Sequence, residues 1–302
     1  RNDPLSALES NLPGELYAWA PSGALAAAIG SNYLGTPRDI AHRDQDEPAG
    51  NMTFDGGLIV AKSGSNTNPN SDGAGIGSGR CGPGTGLNEW ITINGGRVSA
   101  QGACHGAGIG SGALAPSGNI RINGGFVESL GGNDGNGFGG GCSAGNSSAY
   151  QLILTGGTLL PTGSRSDPIF NDVGAPGLQV IVTGGSMGNQ NGVADFRFDG
   201  TAKNDRGETV TMVEVNLTSD VGTSAYPIAK WQLLVDGEPY DYGAPAEFDK
   251  GHLYLWLPEI VKQNSEVTVE FTYLDTDKLD ENGKPTPVTP LPLFRPADSS
   301  LP

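Results

Sequence analysis

A five-residue phrase that ends in two glycines occurs five times in this chain of 302 residues. The copies begin at residues 53, 92, 121, 153 and 181, so successive copies are 39, 29, 32 and 28 residues apart. Repetition at a period of this size is typical of stacked architectures, in which each repeat packs against its two neighbours. This feature limits the possible folds more than any single residue does.

Alignment of the copies on their glycine pairs gives columns of equivalent residues. The positions two and four before the pair, and two after it, are apolar in every copy, and polar residues separate them in the early copies. Such alternation is typical of half-buried strands, and we expect stacking to bury the apolar face. The apolar columns are Met52, Ile91, Ile120, Leu152 and Val180; Phe54, Ile93, Ile122, Leu154 and Val182; and Ile59, Val98, Val127, Leu159 and Met187.

Polar side chains and a second glycine-rich phrase complete the repeat. The residue directly before each glycine pair is Asp, Asn or Thr, which predicts a polar ladder at a corner between strands. Between the strands the chain reads DGAGIGSG, HGAGIGSG and DGNGFGGG, and we interpret the one large side chain of each phrase as an inward plug. The polar column is Asp55, Asn94, Asn123, Thr155 and Thr183, and the plugs are Ile76, Ile109 and Phe138.

These patterns predict an all-β chain, in which a parallel β-helix (a solenoid) of about 30 residues per coil precedes a small antiparallel β-sandwich or Ig-like domain. Residues 1–50 lack the repeat, and their Leu and Ala spacing favours short helices in an N-terminal cap. The β-helix is assigned to residues 51–199. Alternating stretches such as SEVTVEFTYL, with the turn dipeptide at 236–237, predict the antiparallel domain over residues 200–274. The proline-rich residues 275–302 are typical of a linker or tail.

Composition restricts the classes of partner. The formal net charge is −16 and the pI is about 4.4, which argues against nucleic acids and anionic membranes, since both require clustered basic residues. The sequence has no run of eighteen apolar residues, so we expect no membrane insertion. The three cysteines cannot form a disulfide framework. We favour unpaired thiols, with Cys104 as the only partner that Cys81 or Cys142 could reach.

The combination of GAGIGSG, ITINGGRVSAQG and IRINGG with a later GHLYLWLPE resembles the glycine-rich repeat regions of very large bacterial cell-surface proteins. Such regions are described as adhesin-like or carbohydrate-binding-domain-containing. The resemblance covers roughly residues 50 to 270. It implies export to a secreted or wall-attached location, membership of a longer multidomain chain, and attachment to a glycan or host surface.

Four residues would stack near the starts of the glycine-rich phrases, namely Asp72, His105, Asp134 and, in the next coil, Asp167. Carboxylates one or two coils apart approach the separations used by retaining and inverting glycosidases, so these residues are the catalytic candidates if the chain is an enzyme. Carboxylates and carbonyls would also suit Ca²⁺, and we predict no other cofactor and no zinc site. Asp before glycine is also an ordinary turn residue, and we favour that structural interpretation.

On the predicted outer faces we assign Trp90, Arg97, Arg121 and Phe126 as ligand-binding residues. The ring of Trp90 would stack on a sugar, although a tryptophan beside a strand start more often serves packing. The leading hypothesis is a non-catalytic extracellular adhesion or carbohydrate-binding module of a bacterial surface protein. The alternatives are a polysaccharide-active β-helix enzyme, either glycoside hydrolase or lyase, and a purely structural stalk.

Overall fold

The structure is a computed structural model, and all regular elements among its described residues are β-strands. No helix in this part of the chain has the length and apolar character needed to cross a bilayer. The chain divides into two compact units, of which unit 1 comprises residues 1–181 and 187–202 and unit 2 comprises residues 182–186 and 203–302. The described residues are 14–32, 47–65, 67–144, 146–162, 173–174, 178–187, 202–216, 228–240, 252–258, 265–281 and 285–288.

The repeats form three sheets, and between residues 15 and 187 the chain visits them in the same order each time; we call one such passage a coil. The strand before each glycine pair lies in sheet C, the strand after it in sheet A, and the glycine-rich phrase in sheet B. Sheet C contains β3 (Met52–Phe54), β6 (Trp90–Ile93), β9 (Asn119–Ile122), β12 (Gln151–Leu154), β15 (Gln179–Val182) and β17 (Ala202–Lys203). Sheet A contains β1 (Glu15–Trp19), β4 (Leu58–Lys62), β7 (Arg97–Gln101), β10 (Phe126–Leu130), β13 (Thr158–Thr162) and β16 (Ser186–Met187). Sheet B contains β2 (Ile29–Gly30), β5 (Ile76–Gly77), β8 (Ile109–Gly110), β11 (Phe138–Gly139) and β14 (Val173–Gly174).

The apolar columns predicted from the sequence stack in register. In sheet C, Ile120 lies between its equivalents Ile91 and Leu152 on the neighbouring parallel strands. Sheets A and B repeat this arrangement coil by coil. Removing each such side chain from water contributes about 2 kcal/mol, so the columns hold the stack together. The largest fully buried side chains are Phe138, Ile76, Ile91, Ile93, Ile109, Ile120, Ile122, Leu152, Leu154 and Leu159.

The predicted polar ladder is present at the corner between sheets C and A. Asn94 donates from Nδ2 to Oδ1 of Asp55 over 2.6 Å, and Asn123 donates in the same way to Oδ1 of Asn94 over 2.8 Å. Thr155 continues the ladder by donating to Oδ1 of Asn123 over 2.9 Å. Each bond joins equivalent residues of adjacent coils. The ladder is exposed and adds little stability, but it favours the in-register pairing over a shifted one.

The first coil begins earlier than the sequence analysis predicts. Strand β1 pairs in parallel with β4, and β2 pairs with β5, so both belong to the stacked sheets. The described part of residues 1–50 contains these strands and no helix, and the expectation of helical segments is wrong there. Ile29 aligns with Ile76 and so occupies the plug column. The short segment AAAIG is a copy of GAGIG in which alanines replace two glycines.

The strands that lie wholly within unit 2 are antiparallel. Strand β18 (Val210–Asn216) pairs with β21 (His252–Pro258) in a two-stranded sheet. A four-stranded sheet has the order β20 (Glu238–Pro239), β19 (Ile228–Val235), β22 (Val267–Leu279) and β23 (Pro285–Val288). The predicted turn at Asp236 and Gly237 joins β19 to β20, and both residues have the positive φ that a two-residue hairpin turn requires.

The antiparallel sheet extends beyond residue 274, where the sequence analysis ends the domain. Strand β22 continues to Leu279, and β23 lies within the predicted linker or tail. Its two prolines fit because β23 is the edge of the sheet, where half of the backbone N–H groups need no partner strand. The proline content that indicated a linker is therefore compatible with an edge strand.

Candidate functional site

Three of the residues predicted to stack at the starts of the glycine-rich phrases lie side by side. The Nδ1 atom of His105 lies 2.6 Å from Oδ1 of Asp72, and its Nε2 atom lies 3.5 Å from Oδ2 of Asp134. The stacking of coils produces this contact, because the three residues open equivalent phrases in successive repeats. The imidazole is therefore placed between one carboxylate from the coil before and one from the coil after. Asp167, the fourth candidate, lies outside the described residues.

The carboxylate of Asp72 is buried and bonded on both oxygens. Its Oδ2 accepts a hydrogen bond of 2.7 Å from Nη1 of Arg80, and its Oδ1 faces His105. Asp72 is only 1% exposed, and Arg80 is also buried. Such a charge is tolerated inside a protein only when it is paired and hydrogen-bonded. Asp72 is thus placed to join coils, and its burial argues against a role as one of two carboxylates that flank a sugar bond.

His105 and Asp134 are the members of this cluster that solvent reaches, with side chains 24% and 34% exposed. A buried carboxylate on Nδ1 orients the imidazole of His105 and leaves Nε2 facing Asp134. Such an arrangement suits a general base, whose second nitrogen takes or returns a proton. The chemistry available here is proton transfer at the surface of the stack.

The Cys104 thiol lies beside this cluster and is buried. Burial raises the pKa of Cys104, and the negative charges of Asp134 and Asp72 raise it further. A thiol with a raised pKa stays protonated at neutral pH, so Cys104 is not an activated nucleophile. No disulfide joins Cys104 to either of the other two cysteines, both of which are also described.

The described residues contain no group of three or more His, Cys, Asp or Glu side chains arranged to hold a metal ion. The Ca²⁺ site considered above would use the carboxylate of Asp72. Its two oxygens already bond to Arg80 and His105, and a cation there would face the buried guanidinium. Calcium binding therefore stays a prediction, and the bonds within this cluster do not support it.

The four predicted ligand-binding residues separate into two pairs on different sheets. Trp90 and Arg121 lie on the outward face of sheet C, with the guanidinium 4.3 Å from the centre of the Trp90 ring. Arg97 and Phe126 lie on the outward face of sheet A, where the guanidinium is 5.3 Å from the Phe126 ring. Each arginine thus occupies one face of its aromatic neighbour. That contact leaves less of either ring available for stacking on a sugar.

An open cavity of about 220 Å³ adjoins the Arg97 and Phe126 pair on the outward face of sheet A. Arg97 also forms an ion pair with Glu128, with Nη2 and Oε2 3.3 Å apart, and Glu128 lines the cavity. The cavity crosses three strands, so it exists only because the coils are in register. Its outward-pointing lining residues are Ser99, Gln101, Glu128, Leu130, Leu160 and Thr162.

Two aromatic residues that the repeat pattern does not single out lie at the end of the same sheet. Tyr17 and Trp19 are 46% and 65% exposed, and their rings lie 5.8 Å apart with planes within 13° of parallel. The alternation in ELYAW places both side chains on one face of a strand. That signal was available, but the assignment of residues 1–50 to a helical cap concealed it.

The fold and these surfaces define a class of protein in which the described elements are all β-strands, with a solenoid-like stack of parallel strands and an antiparallel unit. Comparison with protein-family models, with curated proteins and with solved structures finds no match to this chain.

Proposed function

We propose that unit 1 is a parallel β-helix, that unit 2 is an Ig-like β-sandwich, and that the chain is a non-catalytic carbohydrate-binding module. In this proposal the module belongs to a longer, secreted or wall-attached bacterial protein and attaches it to a glycan or host surface. The outward face of sheet A is the binding face. The observation that carries the proposal is the cavity on that face, next to the two predicted ligand-binding residues Arg97 and Phe126.

The lining of the cavity has the mixed character that sugar binding requires. Leu130 and Leu160 offer apolar surface to the C–H groups of a sugar ring, while Gln101, Glu128 and Thr162 offer hydrogen-bonding groups to its hydroxyls. These side chains stand on parallel strands, a rigid support for a binding surface. The resemblance of the GAGIGSG and INGG phrases to bacterial surface proteins points in the same direction.

Binding of the 302-residue chain to an array of host, plant and microbial glycans tests this proposal. We expect Gln101→Ala to weaken the binding of the best glycan about fivefold, the effect of losing about one hydrogen bond. Thr92→Ala, which removes a similar outward polar group from sheet C, is the matched control and should bind normally. Absence of binding to every glycan on the array, or equal losses of affinity in the two variants, would contradict the proposal.

The contact between His105 and Asp134 favours a second candidate, a polysaccharide-active enzyme. In this alternative Nε2 of the partly exposed His105 exchanges a proton with the sugar, and the buried Asp72 only orients the ring. The test is the release of sugar fragments from neutral and acidic polysaccharides, measured for the unaltered protein and for His105→Gln. If the chain is such an enzyme, the unaltered protein releases sugar fragments and the His105→Gln variant does not. Absence of release by the unaltered protein would remove this candidate.

A further inference from the structure

The aromatic pair of Tyr17 and Trp19 is the most exposed large apolar surface on the outward side of sheet A. Their neighbours in register, Val60 and Lys62, point outward too, because Ile59 and Ala61, which alternate with them along the strand, are buried. The pair stands on β1, at the end of the described sheet. The two rings stack on each other, and their exposed fractions of 46% and 65% leave apolar surface open to solvent.

The pair continues the two columns of side chains that line the cavity. Tyr17 heads the column that runs through Val60 and Ser99 to Glu128 and Leu160. A parallel column leads from Trp19 to the far side of the cavity, through Lys62, Gln101, Leu130 and Thr162. Five strands span the distance, so the aromatic pair and the far wall of the cavity are about 19 Å apart at about 4.8 Å per strand. Only several linked sugars reach that far.

The charges on this face indicate the character of a partner. Its outward side chains in the described strands include two acids, Glu15 and Glu128, and two bases, Lys62 and Arg97. The face is therefore formally neutral, although the whole chain carries −16. A polyanion would meet repulsion from the chain and no basic cluster to offset it. A neutral polymer with apolar ring faces and hydroxyl edges matches both the rings and the polar columns.

We infer that sheet A binds a linear, neutral polysaccharide lengthwise across its strands, with Tyr17 and Trp19 as an aromatic subsite at one end. This inference rests on the proposed carbohydrate-binding function and adds to it the ligand's shape, its charge and a second contact region. Affinity then depends on chain length, because a short oligosaccharide fills the cavity or the aromatic subsite but not both.

Calorimetric titration of the full chain with cello-, xylo- and manno-oligosaccharides, from disaccharide to hexasaccharide, tests the inference. We expect the hexasaccharide of the preferred series to bind more tightly than its disaccharide. We expect Trp19→Ala to weaken hexasaccharide binding about tenfold, the effect of losing one good aromatic contact, and Trp19→Phe to restore most of it. Leu87→Ala, which removes another exposed apolar side chain away from sheet A, is the matched control and should change nothing.

The outcomes separate this inference from the proposed function. If no oligosaccharide or glycan binds the unaltered chain, both are wrong. If a glycan binds with no dependence on length, or Trp19→Ala binds like Leu87→Ala, the carbohydrate-binding function stands and the extended site is wrong. Sedimentation velocity tests the alternative that the aromatic pair contacts a second copy of the chain. A self-association that Trp19→Ala abolishes, without a change in glycan binding, would also overturn the inference.

Discussion

At the scale of single residues, Asp72 is the side chain whose surroundings most limit its role. It lies inside the stack, bonded to Arg80 from its own coil and to His105 from the next. The Nε atom of Arg80 is buried without a hydrogen-bond partner, so the guanidinium depends strongly on this carboxylate. Asp134 stands at the equivalent position two coils on, but it is partly exposed and contacts His105 at longer range.

Asp72→Asn should therefore destabilise the protein by about 3 kcal/mol, because it leaves a buried guanidinium without its counter-charge. Asp134→Asn makes the same chemical change at a partly exposed position and should cost less than about 1 kcal/mol. Urea denaturation followed by circular dichroism measures both. Equal effects of the two substitutions would contradict the assigned difference in burial.

The raised pKa of Cys104 predicts how stability and reactivity vary with pH. Above the ordinary thiol pKa, the unfolded chain releases a proton that the folded chain keeps, so the free energy of unfolding falls as pH rises towards the folded value. Denaturation at several alkaline pH values should show this fall, and Cys104→Ala should reduce it.

Iodoacetamide should also modify the more exposed Cys142 before Cys104, as mass spectrometry of the peptides would report. Faster modification of Cys104 would be inconsistent with its burial.

At the scale of elements, the short strands of sheet B depend on glycine where neighbouring coils touch. Gly77, Gly110 and Gly139 align across β5, β8 and β11, and each has a positive φ. A Cβ atom built on Gly110 would overlap the carbonyl oxygen of Gly139 in the next coil. Both the backbone conformation and the close approach of the strands therefore exclude a side chain there.

Gly110→Ala should destabilise the protein by about 3 kcal/mol, the combined cost of the positive φ and the overlap with the next coil. Gly56→Ala is the matched control, because an added Cβ there meets no atom within 4 Å and φ is not in the positive range. Thermal unfolding of the two variants measures the difference. A Gly110→Ala variant as stable as Gly56→Ala would show that the coils are not in contact at this position.

How far these elements can be predicted depends on whether a short stretch of sequence carries the signal for each one. The apolar columns and the ladder from Asp55 to Thr155 were predictable, because a stacked fold repeats the same chemistry at every coil. The coil that contains Ile29 was not predicted, because alanines replace two glycines of the GAGIG phrase there. The pairing of Asp72 with Arg80 was not predictable either, since it depends on the path of the chain within one coil. Tyr17 and Trp19 carried a strand signal that a helical assignment overrode.

At the scale of the whole molecule, the strands that lie wholly within each unit are of one type. Unit 1 stacks parallel strands with equivalent residues in register, and unit 2 has antiparallel strands. The cavity on sheet A, the cluster at His105 and the columns that end at Trp19 all result from bringing together residues about one repeat apart. The proposed function therefore depends on the register of the coils more than on any one side chain.

Disulfide trapping of that register is the most direct test of the account. Thr53 and Thr92 are partners on β3 and β6, so Thr53→Cys with Thr92→Cys should form a disulfide at a Cα separation of about 4.8 Å. Thr53→Cys with Asn94→Cys, two residues out of register and roughly 8 Å apart, should not. Peptide mass spectrometry identifies the pairs that form. Efficient cross-linking in the first variant alone is the predicted result, and preferential cross-linking in the second would contradict the stacked arrangement.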